Sequence, residues 1–152
     1  MRIGVVSDTH GSLPASAADV LAGVDRILHA GDVGTQRVLD DLEAIAPVTA
    51  VRGNMDTGEL EWRLLDTAVV RLEDTRALVT HKASSVIASG IPEGVTLVVS
   101  GHTHVPAIER IGEVLFVNPG SAGGKNRNGR GATAAIVDLG VTPIEARIID
   151  LP

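Results

Sequence analysis

Short apolar runs bounded by glycine, aspartate and proline divide this chain, and they constrain its fold more than any other feature. Runs of four to six residues that are rich in Val, Leu, Ile and Ala are typical of buried strands. The sequence therefore predicts nine strands, over Ile3–Val6, Arg26–His29, Val48–Val51, Ala68–Leu72, Ala77–Thr80, Thr96–Val99, Val114–Val117, Ala134–Val137 and Ile144–Ile149.

Helical periodicity lies between the early strands. Pro14 suits the start of a helix over Ala15–Leu21, and Gln36–Ile45 places its apolar residues on one face. A shorter helix is predicted over Ser84–Ala88. The alternation of strand and helix predicts parallel pairing through right-handed crossovers in the first third of the chain. After about Pro106 the strands follow one another through short turns, which predicts antiparallel pairing. The expected fold is a mixed α/β domain whose second half is mostly β.

Composition excludes several classes of protein. A length of 152 residues suits one domain, 1–152, and the absence of cysteine excludes disulfides, cysteine-ligated zinc and thiol catalysis. Because Trp62 and Phe116 are the only aromatic residues, the core must be aliphatic. A net charge of −6 argues against strong nucleic-acid binding, and no apolar run approaches the roughly 18 residues of a membrane span. The first apolar run is too short for a signal-peptide core, because Ser7-Asp8 ends it. We therefore expect a cytoplasmic protein.

Polar residues follow one strand after another at its carboxyl end. Because ligand sites in parallel α/β sheets form at that edge, we expect the loops there to meet. Five loops carry seven candidate metal ligands, namely Asp8, His10, Asp32, Asn54, His81, His102 and His104. Taken singly, aspartate and asparagine are equally typical of turns, so the hypothesis depends on the five loops together.

Mixed imidazole and carboxylate ligands suit Mn²⁺, Fe, Co²⁺, Ni²⁺ or Zn²⁺ better than Ca²⁺ or Mg²⁺. Seven ligands exceed the usual number for one ion, and a carboxylate shared between two ions would use them all. Two ions about 3.5–4 Å apart can activate a bridging hydroxide for in-line attack on phosphorus. The sequence therefore favours a binuclear centre for phosphoester hydrolysis.

These motifs resemble those of the calcineurin-like metallophosphoesterases. The shared pattern is Asp8-Thr9-His10, Gly31-Asp32, Gly53-Asn54-Met55-Asp56, the lone His81, and Gly101-His102-Thr103-His104. The short chain without a cap domain and the segment Asn118-Pro119-Gly120-Ser121 are most similar to the small YfcE-type (Vps29-like) phosphodiesterase branch. The resemblance implies a sandwich of two mixed β-sheets with helices on the outer faces. It also implies two divalent ions, often Mn²⁺ or Ni²⁺, and a small phosphoester substrate.

The resemblance also assigns roles to residues. It implies that the first ion is held by Asp8, His10, Asp32 and His104, that Asp32 bridges, and that Asn54, His81 and His102 complete the second site. Within this set, His10, Asn54, His81 and His102 are the expected catalytic residues. Small members of the family without a cap are often oligomeric, so a homo-oligomer is also expected.

Two positions depart from the family pattern. Met55 stands where the wider phosphatase branch has a histidine near the leaving group, and methionine cannot donate a proton. We therefore expect diesters or activated esters to be preferred over alkyl monoesters. Lys82 follows His81 where close relatives have His-Gly-His, and its positive charge is a candidate contact for the substrate phosphate.

Neighbouring polar residues have less specific signals. His29 lies within a strand and is interpreted as a core histidine, and Asp56 is expected to order the loop around Asn54. Either a lining or a purely structural role suits Asn118 and Ser121. The segment Gly120–Gly131 is predicted to be an exposed loop in which Arg127 and Arg130 either bind phosphate or are solvated. Trp62 is expected to pack either against the neighbouring segment Leu60–Leu65 or at a subunit contact.

The preferred hypothesis is a metal-dependent phosphodiesterase. Alternatives are a phosphomonoesterase at the same site, a Vps29-like scaffold that recruits proteins without catalysis, and a mononuclear hydrolase of non-phosphorus substrates. Metal content and aryl diester hydrolysis distinguish these alternatives.

Overall fold

The computed structural model describes residues 1–124 and 126–152. Its strands are β1 (Arg2–Val6), β2 (Arg26–His29), β3 (Val48–Ala50), β4 (Thr67–Leu72), β5 (Thr75–Thr80), β6 (Val95–Val99), β7 (Ala107–Ile111), β8 (Val114–Asn118), β9 (Thr133–Asp138) and β10 (Glu145–Asp150). Its helices are α1 (Ala17–Val20), α2 (Gln36–Glu43), α3 (Glu59–Arg63) and α4 (Ala83–Ser89). Among the described residues, none of these helices combines the length and apolar character needed to cross a membrane.

The strands form two mixed five-stranded sheets. The first has the order β10-β9-β1-β2-β3, in which β1, β2 and β3 are parallel. The second has the order β4-β5-β6-β8-β7, in which β5, β6 and β8 are parallel and both edge strands are antiparallel. Two mixed sheets were predicted and are confirmed. The antiparallel pairing expected after Pro106 is confirmed for β7 with β8 and for β9 with β10, whereas β8 also pairs with β6 in parallel, which was not expected.

Three apolar clusters organise the layers. Val5 and Leu28 of the first sheet pack with Val79 and Val99 of the second, which fills the space between the sheets. On the opposite face of the first sheet, the cluster that contains Leu42 packs α1 and α2 against the strands. A smaller cluster packs α4 against the outer face of the second sheet through Val86, Leu78 and Val98. Each fully buried Leu or Val stabilises the fold by about 1.5–3 kcal/mol, so aliphatic residues suffice for the core.

Two elements escaped prediction. Strand β7 is exposed along its whole length, and its charged residues Glu109 and Arg110 interrupt any apolar run. Helix α3 is a single turn with one buried residue, Leu60. Helix α1 is shorter than expected, with four residues in place of Ala15–Leu21. Sequence periodicity detects buried elements, and these have little buried surface.

Candidate metal centre

The loops that follow the parallel strands of both sheets converge at one edge of the sandwich. Within each sheet, the Asp8 N–H donates to the Gly31 carbonyl at 3.0 Å and the Gly101 N–H donates to the His81 carbonyl at 3.1 Å. Between the sheets, the His102 N–H donates to Asp8 Oδ2 at 3.0 Å. The five predicted loops therefore meet.

Asp8, His10 and His104 form the first group of candidate ligands, with ligand atoms within 4.8 Å of one another. His10 Nε2 lies 3.2 Å from His104 Nε2, which lies 3.2 Å from Asp8 Oδ1. Ligands on adjacent coordination positions, each about 2.1 Å from one ion, lie about 3.0–3.4 Å apart. Two of the three separations match that spacing, and the third, between His10 Nε2 and Asp8 Oδ1, is wider at 4.0 Å.

Asp8, Asp32 and His81 form the second group, and all three are buried. Asp32 Oδ2 lies 3.4 Å from His81 Nε2 and 3.9 Å from His10 Nε2. Asp8 belongs to both groups, and Asp32 reaches toward both. The centre thus offers two carboxylates for sharing, and the role of Asp32 as the bridge stays a prediction.

Asn54 and His102 complete the outer side of this second group. Asn54 Oδ1 lies 3.0 Å from His81 Nε2, and the His102 ring packs edge-on against the His81 ring with centroids 5.1 Å apart. The structure therefore brings all seven predicted side chains together, with the aspartates buried and Asn54 and His102 exposed.

Each aspartate has one anchored oxygen and one that faces the centre. Asp8 Oδ2 accepts hydrogen bonds from Ser7 Oγ at 2.8 Å and from a backbone N–H, whereas the buried Asp8 Oδ1 accepts none from the described residues. Asp32 Oδ1 accepts from the Met55 N–H at 2.8 Å, whereas Oδ2 faces the histidines. Because a buried oxygen without a hydrogen bond costs about 1–3 kcal/mol, Asp8 Oδ1, which faces His104 Nε2 at 3.2 Å, fits a metal ligand.

His81 is oriented from behind. Its Nδ1–H donates to the Ala30 carbonyl at 2.8 Å, which directs Nε2 toward Asp32 and Asn54. Such a carbonyl contact is typical of metal-binding histidines, because it fixes the ring and the tautomer. The altered sequence after His81 therefore leaves this ring correctly placed for a ligand.

Five of the candidate ligands have left-handed backbone conformations. The φ angles are 53° at Asp8, 48° at His10, 54° at Asp32, 70° at His102 and 55° at His104. A residue with a Cβ in this region costs roughly 1–2 kcal/mol. Among the described non-glycine residues the remaining example is Glu73, so the strain concentrates at the site, as it does at many functional sites.

Contacts among Asp32, His81 and His102 and their neighbours shift the pKa values of these residues. Burial opposes ionisation of Asp32, but hydrogen bonds from His81 and the Met55 N–H prevail and lower its pKa. Burial likewise opposes protonation of His81, but Asp32 and a backbone carbonyl prevail and raise its pKa. Partial burial and the charges of His81 and Lys82 lower the pKa of His102. A neutral His102 keeps its lone pair for a metal ion.

His29 lies in the core behind the loops, as expected. Its Nδ1 accepts from the Gly31 N–H at 3.2 Å, so Nε2 carries the proton and donates to Thr9 Oγ1 at 2.9 Å. Thr9 Oγ1 donates in turn to the Val33 carbonyl at 2.9 Å. Complete burial lowers the pKa of His29 to about 4. His29 therefore braces the first two loops as a neutral ring.

Other polar residues hold the loops in place. Asp56 accepts from the Gly34 and Gly53 N–H groups at 2.9 and 2.8 Å, which orders the Asn54 loop as predicted. Ser121 Oγ donates to the Asp8 carbonyl at 2.8 Å. Asn118 Nδ2 donates to the Gly101 carbonyl at 2.9 Å and to Thr103 Oγ1 at 3.0 Å. Asn118 and Ser121 therefore hold the loops in place, and a role for them in lining the site stays a prediction.

The prediction that Gly120–Gly131 is an exposed loop is wrong at its beginning and at Asn126, and Lys125 within it lies outside the described residues. Ser121, Ala122 and Asn126 are buried, and Asn126 Oδ1 accepts from the Ser121 N–H at 2.6 Å while its Nδ2 donates to Thr133 Oγ1 at 2.9 Å. Sequence reasoning missed Asn126, because asparagine in a glycine-rich segment indicates only a loop. Arg130 is exposed and pairs with Asp150 at 2.5 Å, so its guanidinium is engaged away from the ligands.

Two glycines are required by the packing of the loops. A Cβ at Gly101 would lie 2.6 Å from Asp8 Oδ2 and still closer to Ser7 Oγ, and one at Gly53 would overlap Asp32. The glycine before each ligand loop thus lets neighbouring backbone reach the carboxylates.

Sequence comparison identifies relatives of this chain. The profile of the calcineurin-like phosphoesterase superfamily domain matches residues 1–141. A probable metallophosphoesterase of Methanocaldococcus jannaschii is 36% identical over 134 residues, which cover 80% of this chain and 68% of that protein. The phosphodiesterase YfcE of Escherichia coli K12 is 32% identical over 147 residues, which cover 80% of this chain and 79% of that protein.

Solved structures share the fold. An archaeal phosphodiesterase superposes with a TM-score of 0.81 at 29% identity, over 98% of this chain and all of the other. Vps29 of Entamoeba histolytica in complex with Zn²⁺ superposes with a TM-score of 0.77 at 18% identity, over the whole of both chains. At that identity, the likeness to Vps29 shows the fold alone.

Proposed function

This chain belongs to the calcineurin-like phosphoesterase superfamily, as its motifs predicted, and we propose that it is a binuclear metal-dependent phosphodiesterase. The observation that carries the proposal is the pair of buried aspartates, each with one oxygen anchored and one turned toward two imidazoles, His10 and His104 for Asp8 and His10 and His81 for Asp32. This arrangement costs stability without an ion and fits the expected donors for first-row metals.

In the proposed centre, Asp8, His10, Asp32 and His104 would hold the first ion, and Asp32, Asn54, His81 and His102 would hold the second. Mn²⁺ is the expected ion, with Ni²⁺, Fe, Co²⁺ and Zn²⁺ as alternatives. Such ions, when bound, lower the pKa of a water molecule to near neutrality and offset charge on the phosphoryl oxygens.

The chain's own residues orient the substrate and limit the leaving group. Lys82 is half-buried beside His102, where its ammonium group can attract the phosphate. Met55 is 63% exposed near the centre and has no proton to give to a leaving oxygen. We therefore infer that esters whose leaving group departs as a stable anion, and diesters above monoesters, are the preferred substrates.

Metal content and turnover in the same samples test this proposal. After chelator treatment and reloading with Mn²⁺, we expect two ions per chain and hydrolysis of bis(p-nitrophenyl) phosphate that disappears and returns with the metal. Asp32→Asn should lower the metal content, and it should lower the turnover by at least about a hundredfold. The reason is that it removes a charged ligand from both sites. The exposed helix residue Asp41 provides the matched control, Asp41→Asn. Full activity of Asp32→Asn would contradict the proposal.

A second assay addresses ester type. With p-nitrophenyl phosphate in place of the diester, we expect a lower kcat/KM. The reverse order would favour the phosphomonoesterase alternative. One ion per chain without phosphoester turnover would favour a mononuclear hydrolase of another substrate class.

A non-catalytic scaffold on the same fold is the second candidate. Two bound ions without hydrolysis of any aryl diester would support that scaffold and contradict the phosphodiesterase. Sedimentation of the metal-loaded protein tests the expected homo-oligomer separately.

A further inference from the structure

An apolar groove of about 470 Å³ lies beside the candidate metal centre, on the outer face of the second sheet. Helix α4 forms one wall and strand β7 forms the other. Its lining includes the apolar residues Ile87, Val105, Ala107, Ile111 and Phe116, together with Glu109 on the β7 wall and His102 of the metal centre. Its size and lining are those of small-molecule pockets, which are mostly apolar with a few polar groups.

The apolar side chains of this groove are exposed without covering one another. Ile87 is 57% exposed, Ile111 is 54% exposed and Val105 is 40% exposed, although each is a large aliphatic residue. They come from helix α4, from strand β7 and from the loop before β7, and they line one concavity. Exposed apolar residues grouped in this way are typical of a binding surface.

A second cavity of about 470 Å³ lies on the other side of His81, and its character is opposite. It contains Asn54, Glu61 and Asp66. Its Arg52 guanidinium donates to both Asp66 carboxylate oxygens, at 2.5 and 3.1 Å, and to the Glu61 carbonyl at 2.9 Å. Since this cation is already engaged and carboxylates are present, the cavity suits a polar arm that bears hydroxyl groups better than a further phosphate.

The two cavities flank the same histidine pair. His81 lies in the polar cavity, His102 lies in the groove, and Lys82 borders both. The rings of His81 and His102 are in contact. A phosphoryl group held at this pair would have one ester substituent on the side of each cavity.

We propose that the groove binds an apolar ester arm of the substrate, and hence that the substrate class is an asymmetric phosphodiester with one aliphatic or aromatic arm and one polar arm. This proposal rests on the proposed function, because it takes the phosphoryl group to lie at His81 and His102. The apolar arm contacts Ile87 on one wall and Ile111 on the other.

The experiment measures how affinity depends on the length of an apolar arm. Methyl-, butyl- and hexylphosphonate are titrated into the Mn²⁺-loaded protein by isothermal calorimetry, and the same compounds are used as inhibitors of bis(p-nitrophenyl) phosphate hydrolysis. Burial of one methylene improves affinity about fourfold when complete, so we expect hexylphosphonate to bind at least about thirtyfold more tightly than methylphosphonate.

Strand β7 supplies a matched pair of variants. Ile111 faces the groove, whereas Ile108 is 38% exposed and lines a different cavity. Ile111→Glu should reduce the ratio of hexyl to methyl affinity to about threefold or less, and Ile108→Glu should leave that ratio unchanged. Ile87→Asp on the opposite wall is the second variant and should act like Ile111→Glu.

A ratio near one in the wild-type protein, or a ratio that survives both Ile111→Glu and Ile87→Asp, would overturn the proposal. Loss of the ratio in Ile108→Glu to the same extent would also overturn it. Absence of ester hydrolysis would contradict the proposed function instead, and calorimetry would then still decide whether the groove binds the alkyl chain.

Discussion

Protonation of His29 should destabilise this protein in mild acid. His29 is completely buried as a neutral ring with both nitrogens hydrogen-bonded, and its pKa falls from the ordinary 6.5 to about 4. Because the unfolded chain binds this proton more readily, the stability contributed by the neutral ring is complete above pH 6.5. It is lost as the pH falls toward 4.

The size of the effect follows from the two pKa values. The lowered pKa of His29 corresponds to a total loss of about 3 kcal/mol in the free energy of unfolding. About 2 kcal/mol of this is lost between pH 7 and pH 5. The comparison variant is His29→Gln, which keeps a donor toward Thr9 and does not titrate. It lacks the acceptor for the Gly31 N–H, a cost that does not depend on pH.

Urea unfolding of the metal-free proteins at pH 7, 6 and 5 measures the difference. Between pH 7 and pH 5, the wild-type protein should lose about 2 kcal/mol more of its free energy of unfolding than His29→Gln loses. Contributions from the other titrating groups are common to both proteins and cancel. Equal losses, or a larger loss in the variant, would refute the assignment of a neutral His29. Titration of the His29 ring by NMR should give a midpoint near pH 4.

Three further predictions concern the loops. Gly101→Ala should abolish metal binding measured by elemental analysis, because the added Cβ would displace Asp8. The control Gly131→Ala should keep its metal, since a Cβ there meets nothing within 4 Å. Equal metal content in the two variants would contradict this prediction. His102→Gly should be about 1 kcal/mol more stable than His102→Ala in urea unfolding of the metal-free proteins, because the φ of 70° suits glycine; the opposite order would refute the strain. Asp56→Asn should lower the free energy of unfolding by about 1–3 kcal/mol, because the amide cannot accept both backbone N–H bonds, and an unchanged urea midpoint would contradict it.

The positions of the candidate ligands could be predicted because each depends on a local pattern. An apolar run ends at the sheet edge, and the polar residue that follows it must lie there, whatever the details of packing. This reasoning placed Asp8, Asp32 and His81 together from the sequence. It could not predict that Asp8 contributes to both groups of ligands, because that depends on how far the two sheets are apart at this edge.

Local patterns fail where a residue is defined by contacts that are distant in the sequence. Asn126 lies in a segment of Gly, Asn and Arg that predicts an exposed loop, yet its amide is buried between Ser121 and Thr133. The left-handed backbone of the histidine ligands is likewise invisible to periodicity, since a positive φ is uncommon even for histidine, one of the residues enriched there.

Strand β7 shows why the residues that local sequence patterns fail to predict matter for function. It is the strand that the sequence did not predict, because an exposed edge strand with Glu109 and Arg110 has no apolar period. The same exposure makes Ile111 available as a wall of the groove beside His102. Chemistry common to a superfamily can reside in short motifs after buried strands, whereas the choice of substrate depends on exposed surfaces that no core periodicity constrains. The residues that distinguish this protein's substrate are therefore expected on α4 and β7, where Ile87 and Ile111 line the groove.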